Sequence, residues 1–376
     1  MTTLYHHQHG GAPHKNASQD SMAPIDFSVN ISPISPPLGT LSLDSFALQA
    51  YPSIDGRGIK DFYTGKFGFN GDTVLPLNGA IEGIYLLPRA LGFRRLLLLS
   101  PSFYEYERAG RIAGAEITFL PLAAENGFQL PSIDLLADAL LHADAFVVAN
   151  PNNPTGTEVP PEIIMALASR FPEKWFILDE AFIQFTPAFP DNSLMGKVTA
   201  LKNVIVVHSL TKFYALPGLR LGAMIAHPTV IRRLLNYKEP WTVNAIAESI
   251  APLLLECGTY EEELRAMILS ERERITASFP QIKGIKLAGG AANFFLAQWN
   301  GDSSLDVLLS WLVGQHLHVR DCRNFSGLEE NYFRFAVRKP VENDHLLDAL
   351  QSAMLWSGNP LRTESLLENH TPQSSS

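Results

Sequence analysis

Several short segments carry residue types that can do chemistry together. SLTKFYALPGLRLG, residues 209–222, follows the apolar run NVIVVH, so Lys212 sits just past a buried strand, with Ser209 and Thr211 before it and Arg220 eight residues later. A lysine amine in that place can form a Schiff base with an aldehyde cofactor whose phosphate Ser209 and Arg220 hold. The same string equally serves a solvated lysine ahead of a glycine turn. WFILDEAF brings a second apolar run to Asp179, at the carboxyl edge where open α/β sheets bind ligands. An aspartate there can pair with a protonated pyridine nitrogen and strengthen the ring as an electron sink, or it can cap a helix as an ordinary loop acid. NPNNPTG, residues 150–156, follows AFVVA and presents Asn153 to the same edge, suited to hydrogen bonding a ring hydroxyl, although Asn/Pro turns also arise for purely structural reasons. NGAIEG, from Asn78, precedes a helical stretch, so the backbone N–H groups of Gly79, Ala80 and Ile81 can cradle a phosphate at the helix start. Phe103, in SPSFYEY, offers a flat face above a ring or packs in the core.

Such residues need a scaffold that brings the ends of several strands to one place. Apolar runs at 96–99, 116–120, 145–149, 175–178, 204–207 and 221–225 read as strands, and the patterns at 104–113 and 162–171 as helices. Continuous apolar strands separated by helices predict an α/β architecture, a mostly parallel central sheet with helices on both faces. After about residue 229 come helical patterns at 245–255 and 261–279, then strand-like NFFLAQW, helical SLDVLLSWLVGQ, strand-like NYFRFAV and a final helix. This predicts a smaller α+β C-terminal domain. The expected division is an N-terminal segment, 1–50, packing on the small domain and active site; a large domain, 51–240; the small domain, 241–358; and a disordered polar tail, 359–376.

Composition removes other classes of function. In 376 residues, 46% hydrophobic and 10% aromatic content supports a sizeable core. A net charge of -9, from 29 Lys and Arg against 38 Asp and Glu, argues against a nucleic-acid or anionic-membrane binder. Cys257 and Cys322 are the only cysteines, which excludes a disulfide framework, a four-cysteine zinc site and a four-cysteine iron–sulfur cluster. No metal is expected, and a reducing cytoplasm fits best. The apolar stretches fall far short of the ~20 residues of a membrane span, and the opening MTTLYHHQHGG lacks the apolar core of a secretory signal.

In this order, NGA, SPSFYEY, NPNNPTG, DEAF and SLTK followed by GLR, the chain resembles the fold-type I pyridoxal 5'-phosphate enzymes. Within them it resembles the histidinol-phosphate aminotransferase branch and, most of all, the L-threonine-O-3-phosphate decarboxylase family of cobalamin biosynthesis, from about residue 9 to residue 350. The resemblance implies pyridoxal 5'-phosphate as cofactor, with Lys212 as its anchor. HGG at 9–11, followed by IDFSVNISPISPP, resembles the decarboxylase opening, which implies that His9 and Gly10 fold over the site and that Asn30 faces substrate. VRDCRNFSGLEENYFRFAVR resembles the family's tail, which implies Arg334 on the substrate carboxylate and Arg320 on its phosphate, with Arg338 and Arg323 as secondary candidates. Tyr51, in AYPSIDG, matches the tyrosine that reaches a neighbouring subunit's cofactor phosphate, which implies a homodimer with shared sites. DEAF carries Phe182 where aminotransferases of the branch often carry tyrosine, a mild lean toward decarboxylation.

The resulting expectation is a decarboxylase of an O-phospho-L-amino acid, taking L-threonine phosphate to aminopropanol phosphate or L-serine phosphate to ethanolamine phosphate. Histidinol-phosphate aminotransferase, or a related class I/II aminotransferase, is the alternative, and a non-catalytic protein of the same fold a distant third. No residue reports on the methyl that separates the two phospho-amino acids, a difference worth about 1–3 kcal/mol in an apolar pocket.

Overall fold

A computed structural model describes residues 9–11, 24–40 and 48–357. The expected tail at 359–376 and parts of the expected N-terminal segment lie outside the described residues. Along the chain, strand β1 (Ile25–Asp26) is followed by α1 (Arg57–Phe67), β2 (Val74–Asn78), α2 (Ala80–Leu91), β3 (Arg95–Ser100), α3 (Tyr104–Ile112) and β4 (Glu116–Pro121). Then come α4 (Ile133–Leu140), β5 (Ala145–Ala149), α5 (Pro161–Arg170), β6 (Trp175–Asp179), β7 (Val204–Ser209), β8 (Leu221–Ala226) and α6 (Pro228–Leu235). The remainder is α7 (Ala245–Ile250), α8 (Gly258–Ser278), β9 (Ile285–Gly289), β10 (Phe294–Trp299), α9 (Leu305–Gly314), β11 (Leu317–His318), β12 (Arg320–Asp321), β13 (Tyr332–Ala336) and α10 (Pro340–Ser357).

Seven strands form the central sheet in the order β2-β8-β7-β6-β5-β3-β4. The pairings of β3 with β4 and β5, of β5 with β6 and of β6 with β7 are parallel, and only β8 runs against its neighbours. Parallel strands are covered on both faces, so their side chains alternate between two apolar layers rather than between core and water. In β7, Val204 and Val206 enter one buried cluster while Ile205 and Val207 enter the other. A second sheet, β12-β13-β10-β9, is antiparallel, and β1 pairs in parallel with β11 beside it. Fold class and the mostly parallel sheet thus follow the sequence pattern.

One helix departs from expectation. The pattern at 245–255 becomes α7, which stops at Ile250, and a 3-10 turn over Ala251–Glu256. Pro252 is the reason: it lacks the N–H that the next α-helical bond needs, and its ring crowds the carbonyl four residues back. Among the described residues, no helix is long and apolar enough to cross a membrane.

Candidate active site

The sheet delivers the chemistry to one edge. β6 ends on Asp179, β7 ends on Ser209, and β5 leads within four residues to Asn153. Because β8 runs the other way, its pairing sets Gly222 opposite Ser209 and Leu221 opposite Asn78. Arg220, the residue before β8, therefore returns to the edge that β7 leaves, beside the start of α2. Gly79 there takes φ 75, and a Cβ on it would lie 2.5 Å from Arg220 Nη2, so only glycine fits. One detail corrects the sequence reading: the Gly79 amide donates to the Leu77 carbonyl at 2.8 Å. It is not available to a phosphate, and the donors come from Ala80 and Ile81, whose first-turn N–H groups have no partner within the helix.

A cavity of about 560 Å³ opens above this edge. Ala80, Ile81, Phe103, Asn153, Asp179 and Ser209 line it, as do Lys212 and Arg220. Arg320 and Arg334 reach it from the second sheet, and His9, Gly10 and Asn30 from the N-terminal segment. Of the residues singled out in the sequence, Gly79 supports the wall without lining it, and Tyr51 is 83% exposed, its ring 5.4 Å from that of Trp241. The two secondary arginines are outside the cavity. Arg323 pairs with Asp321 and Asp306 at 2.7 Å each, and Arg338 pairs with Glu342 at 3.0 Å. Each has carboxylates on neighbouring surface elements, so a ligand has nothing to add.

The electrostatics of the cavity are those of an anion site. Lys212 is pushed down to about 8, chiefly by burial and further by the charges of Arg334 and Arg220. Register in the second sheet sets Arg320 directly opposite Arg334, and the two residues are only 7% and 6% exposed. Like charges facing across strands repel, and Arg334 is lowered to about 10 by burial, with Arg320 adding to the effect. Arg334 donates from Nη1 to Asn153 Oδ1 and from Nη2 to the Ser28 carbonyl at 2.9 Å, while its Nε is buried without a partner. Asp179 is raised by burial, against which Tyr106 Oη, donating at 2.8 Å, and the Ala181 N–H, at 3.0 Å, act. Among the described residues it forms no salt bridge. Ser209 Oγ and Thr211 Oγ1, both of residues that line the cavity, lie 2.8 Å apart.

The described N-terminal residues close one side. The Gly11 N–H donates to Ser28 Oγ at 2.7 Å, and His9 Nε2 lies 3.2 Å from a Glu105 carboxylate oxygen. Asn30 is 3% exposed, and neither polar atom of its side chain has a partner, so it waits on a polar group inside the cavity. Sequence reasoning missed Tyr106 and Glu105, although both stand in the quoted SPSFYEY, and Ser28, although it stands in IDFSVNISPISPP, and it missed Tyr85 and Arg108, which line the cavity without any local motif.

A profile of the class I and II aminotransferases matches residues 57–350. The chain belongs to that family. Over 93% of its length this family member is 30% identical to the threonine-phosphate decarboxylase of Salmonella typhimurium, covering 98% of that protein. Among solved structures it is similar to the histidinol-phosphate aminotransferase of Clostridium acetobutylicum, with a TM-score of 0.81 and 28% identity over 88% of this chain and 98% of that one. It shares the fold of L-threonine-O-3-phosphate decarboxylase from Porphyromonas gingivalis, with a TM-score of 0.73 and 24% identity over 87% of this chain and 98% of that one. The fold is that of fold-type I pyridoxal phosphate enzymes, and the family makes the protein a pyridoxal phosphate-dependent enzyme. The residues present fit the cofactor. A glycine-shaped helix start beside Arg220 suits its phosphate, a buried amine suits its aldehyde, and a buried carboxylate without a salt bridge suits its protonated ring nitrogen.

Proposed function

We propose that this protein decarboxylates an O-phospho-L-amino acid in cobalamin biosynthesis, converting L-threonine phosphate to aminopropanol phosphate. The observation that carries the reading is the facing pair Arg320 and Arg334, buried in register and lining the same cavity as Lys212. Two buried guanidiniums in one cavity suit a substrate with two anionic ends. When bound, pyridoxal phosphate supplies an electron sink for the pair released at the substrate Cα. Ala80, Ile81, Ser209 and Arg220 would hold the cofactor phosphate, Asp179 the ring nitrogen and Asn153 the ring hydroxyl, and Phe103 would supply an apolar face to the ring. Arg334 takes the substrate carboxylate, and Arg320, with Asn30, His9 and Gly10, takes its phosphate. By fixing both ends, these residues decide which bond at Cα is presented for cleavage. Lys212 Nζ, with its basicity lowered, then delivers the proton that replaces the lost carboxylate.

The chain's identity to a threonine-phosphate decarboxylase supports this assignment, as does Phe182, whose ring lies in the cavity 5.4 Å from that of Phe294 and carries no hydroxyl. The similarity in shape to a histidinol-phosphate aminotransferase favours transamination as the second reading. We also read residues 51–240 and 241–358 as the two domains, and the cytoplasm as the location. Exposed Tyr51 is read as the residue that crosses to a second copy of the chain.

The assay is carbon dioxide release from L-threonine phosphate without 2-oxoglutarate, compared with L-serine phosphate. Decarboxylation predicts sustained release, and Lys212→Ala abolishes both release and the yellow, borohydride-bleached chromophore. Turnover that requires 2-oxoglutarate and releases no gas would replace this reading by the aminotransferase.

A further inference from the structure

The first turn of α2 holds an acid where an anion is to bind. A carboxylate at a helix start is favoured by the helix dipole, but it repels a phosphate placed at the same end. Glu82 is that acid, three residues after Gly79, and the structure shows how the conflict is removed. Its Oε2 accepts the Asn78 amide at 2.5 Å, which ties down the turn leading into Gly79. Its Oε1 lies 3.0 Å from Lys238 Nζ. The Lys238 side chain is 9% exposed and that of Glu82 16%, so the pair is largely shielded from salt and water. Lys238 is itself held, donating from Nζ to Thr242 Oγ1 and from its backbone N–H to the Leu234 carbonyl at 3.1 Å. Neither residue lines the cavity.

We propose that Glu82 and Lys238 are a positioning pair for the cofactor phosphate. Glu82 shapes the Asn78–Gly79 turn, and Lys238 cancels the charge of Glu82, so that the Ala80 and Ile81 amides and Arg220 meet the phosphate without an opposing anion. This rests on the pyridoxal phosphate assignment above and adds to it two residues that act through the helix start rather than by contact.

The test titrates the apo protein with pyridoxal phosphate and with pyridoxal, which has the same ring and aldehyde but no phosphate, following the absorbance of the lysine adduct. Lys238→Met weakens pyridoxal phosphate about tenfold while pyridoxal changes within about twofold. Lys238→Arg, which keeps the charge, retains the wild-type ratio. Glu82→Gln keeps an acceptor for Asn78 and loses the charge, so it binds pyridoxal phosphate at least as tightly as wild type, and the double variant Glu82→Gln, Lys238→Met recovers most of the loss. A pair that only stabilises the helix predicts something different: both ligands weaken together, with no recovery in the double variant, and that result overturns the proposal. So does an unchanged ratio in Lys238→Met when the wild-type protein forms its adduct. Wild-type protein that forms no adduct with either compound instead overturns the cofactor assignment, and this proposal with it.

Discussion

Lys212 is a cation placed where a cation is expensive. Burial and the neighbouring Arg334 and Arg220 lower it from 10.5 to about 8, so the free amine needed for a covalent link is available near neutrality at the cost of folding stability. The sign follows from proton counts. Between about pH 8 and 10.5 the unfolded chain binds this proton and the folded chain does not, so stability rises with pH across that window; below it the folded protein carries the buried charge in full. Apo Lys212→Met is therefore more stable than apo wild type at pH 7 by on the order of 2–3 kcal/mol, and the difference closes as the pH approaches 10.5. Urea denaturation of both apo proteins at several pH values checks this, and a pH-independent difference would show that Lys212 is not a buried ammonium. Asp179 is the complementary case, an acid raised by burial and steadied by Tyr106, whose own hydroxyl is driven well up by burial and by the nearby Asp179 charge.

At the scale of elements, the antiparallel strand β8 does most to assemble the phosphate side of the cavity. Gly222 lets α2 lie close against it: a Cβ at this position would sit 2.8 Å from the Ala80 amide nitrogen and 2.9 Å from the His208 carbonyl oxygen. Both neighbours are backbone atoms of packed elements, so they cannot swing aside. Gly222→Ala should cost about 1–3 kcal/mol of stability through overpacking and, because α2 is displaced along with its amides, weaken pyridoxal phosphate more than pyridoxal. Thermal melts and the paired titration measure both effects. Normal affinity in a fully folded variant would mean that the helix start is not the phosphate cradle. The apolar pattern of β5, β6 and β7 was open to sequence reading because burial on two faces leaves continuous apolar runs. The end of α7 was also open, had Pro252 been given its full weight.

For the molecule as a whole, Tyr51 is an exposed aromatic residue that does not line the cavity of its own chain. It stands 83% exposed beside Trp241, which is 48% exposed. On the proposed shared-site arrangement, Tyr51→Ala and Lys212→Ala are each inactive for reasons located in different subunits. Mixing the two after mild dissociation should then restore activity, because one site of a mixed dimer has both native residues. Sedimentation that gives a monomer, or mixtures that stay inactive, would remove the shared site.

By itself the sequence determined six of the seven strands of the central sheet, missing the edge strand β2, together with the α/β class and which lysine, aspartate and asparagine stand at or just past strand ends. These are local properties, written in apolar runs and in turns a few residues long. Only the tertiary structure decided that β8 runs backward and so carries Arg220 to Gly79, and that Arg320 faces Arg334 while Arg323 and Arg338 are satisfied elsewhere. It also showed that the Gly79 amide is already taken by Leu77, and that Lys238 neutralises Glu82 from more than 150 residues away. Strand direction, register and the pairing of distant charges depend on how elements meet across the core, and no short-range pattern encodes that.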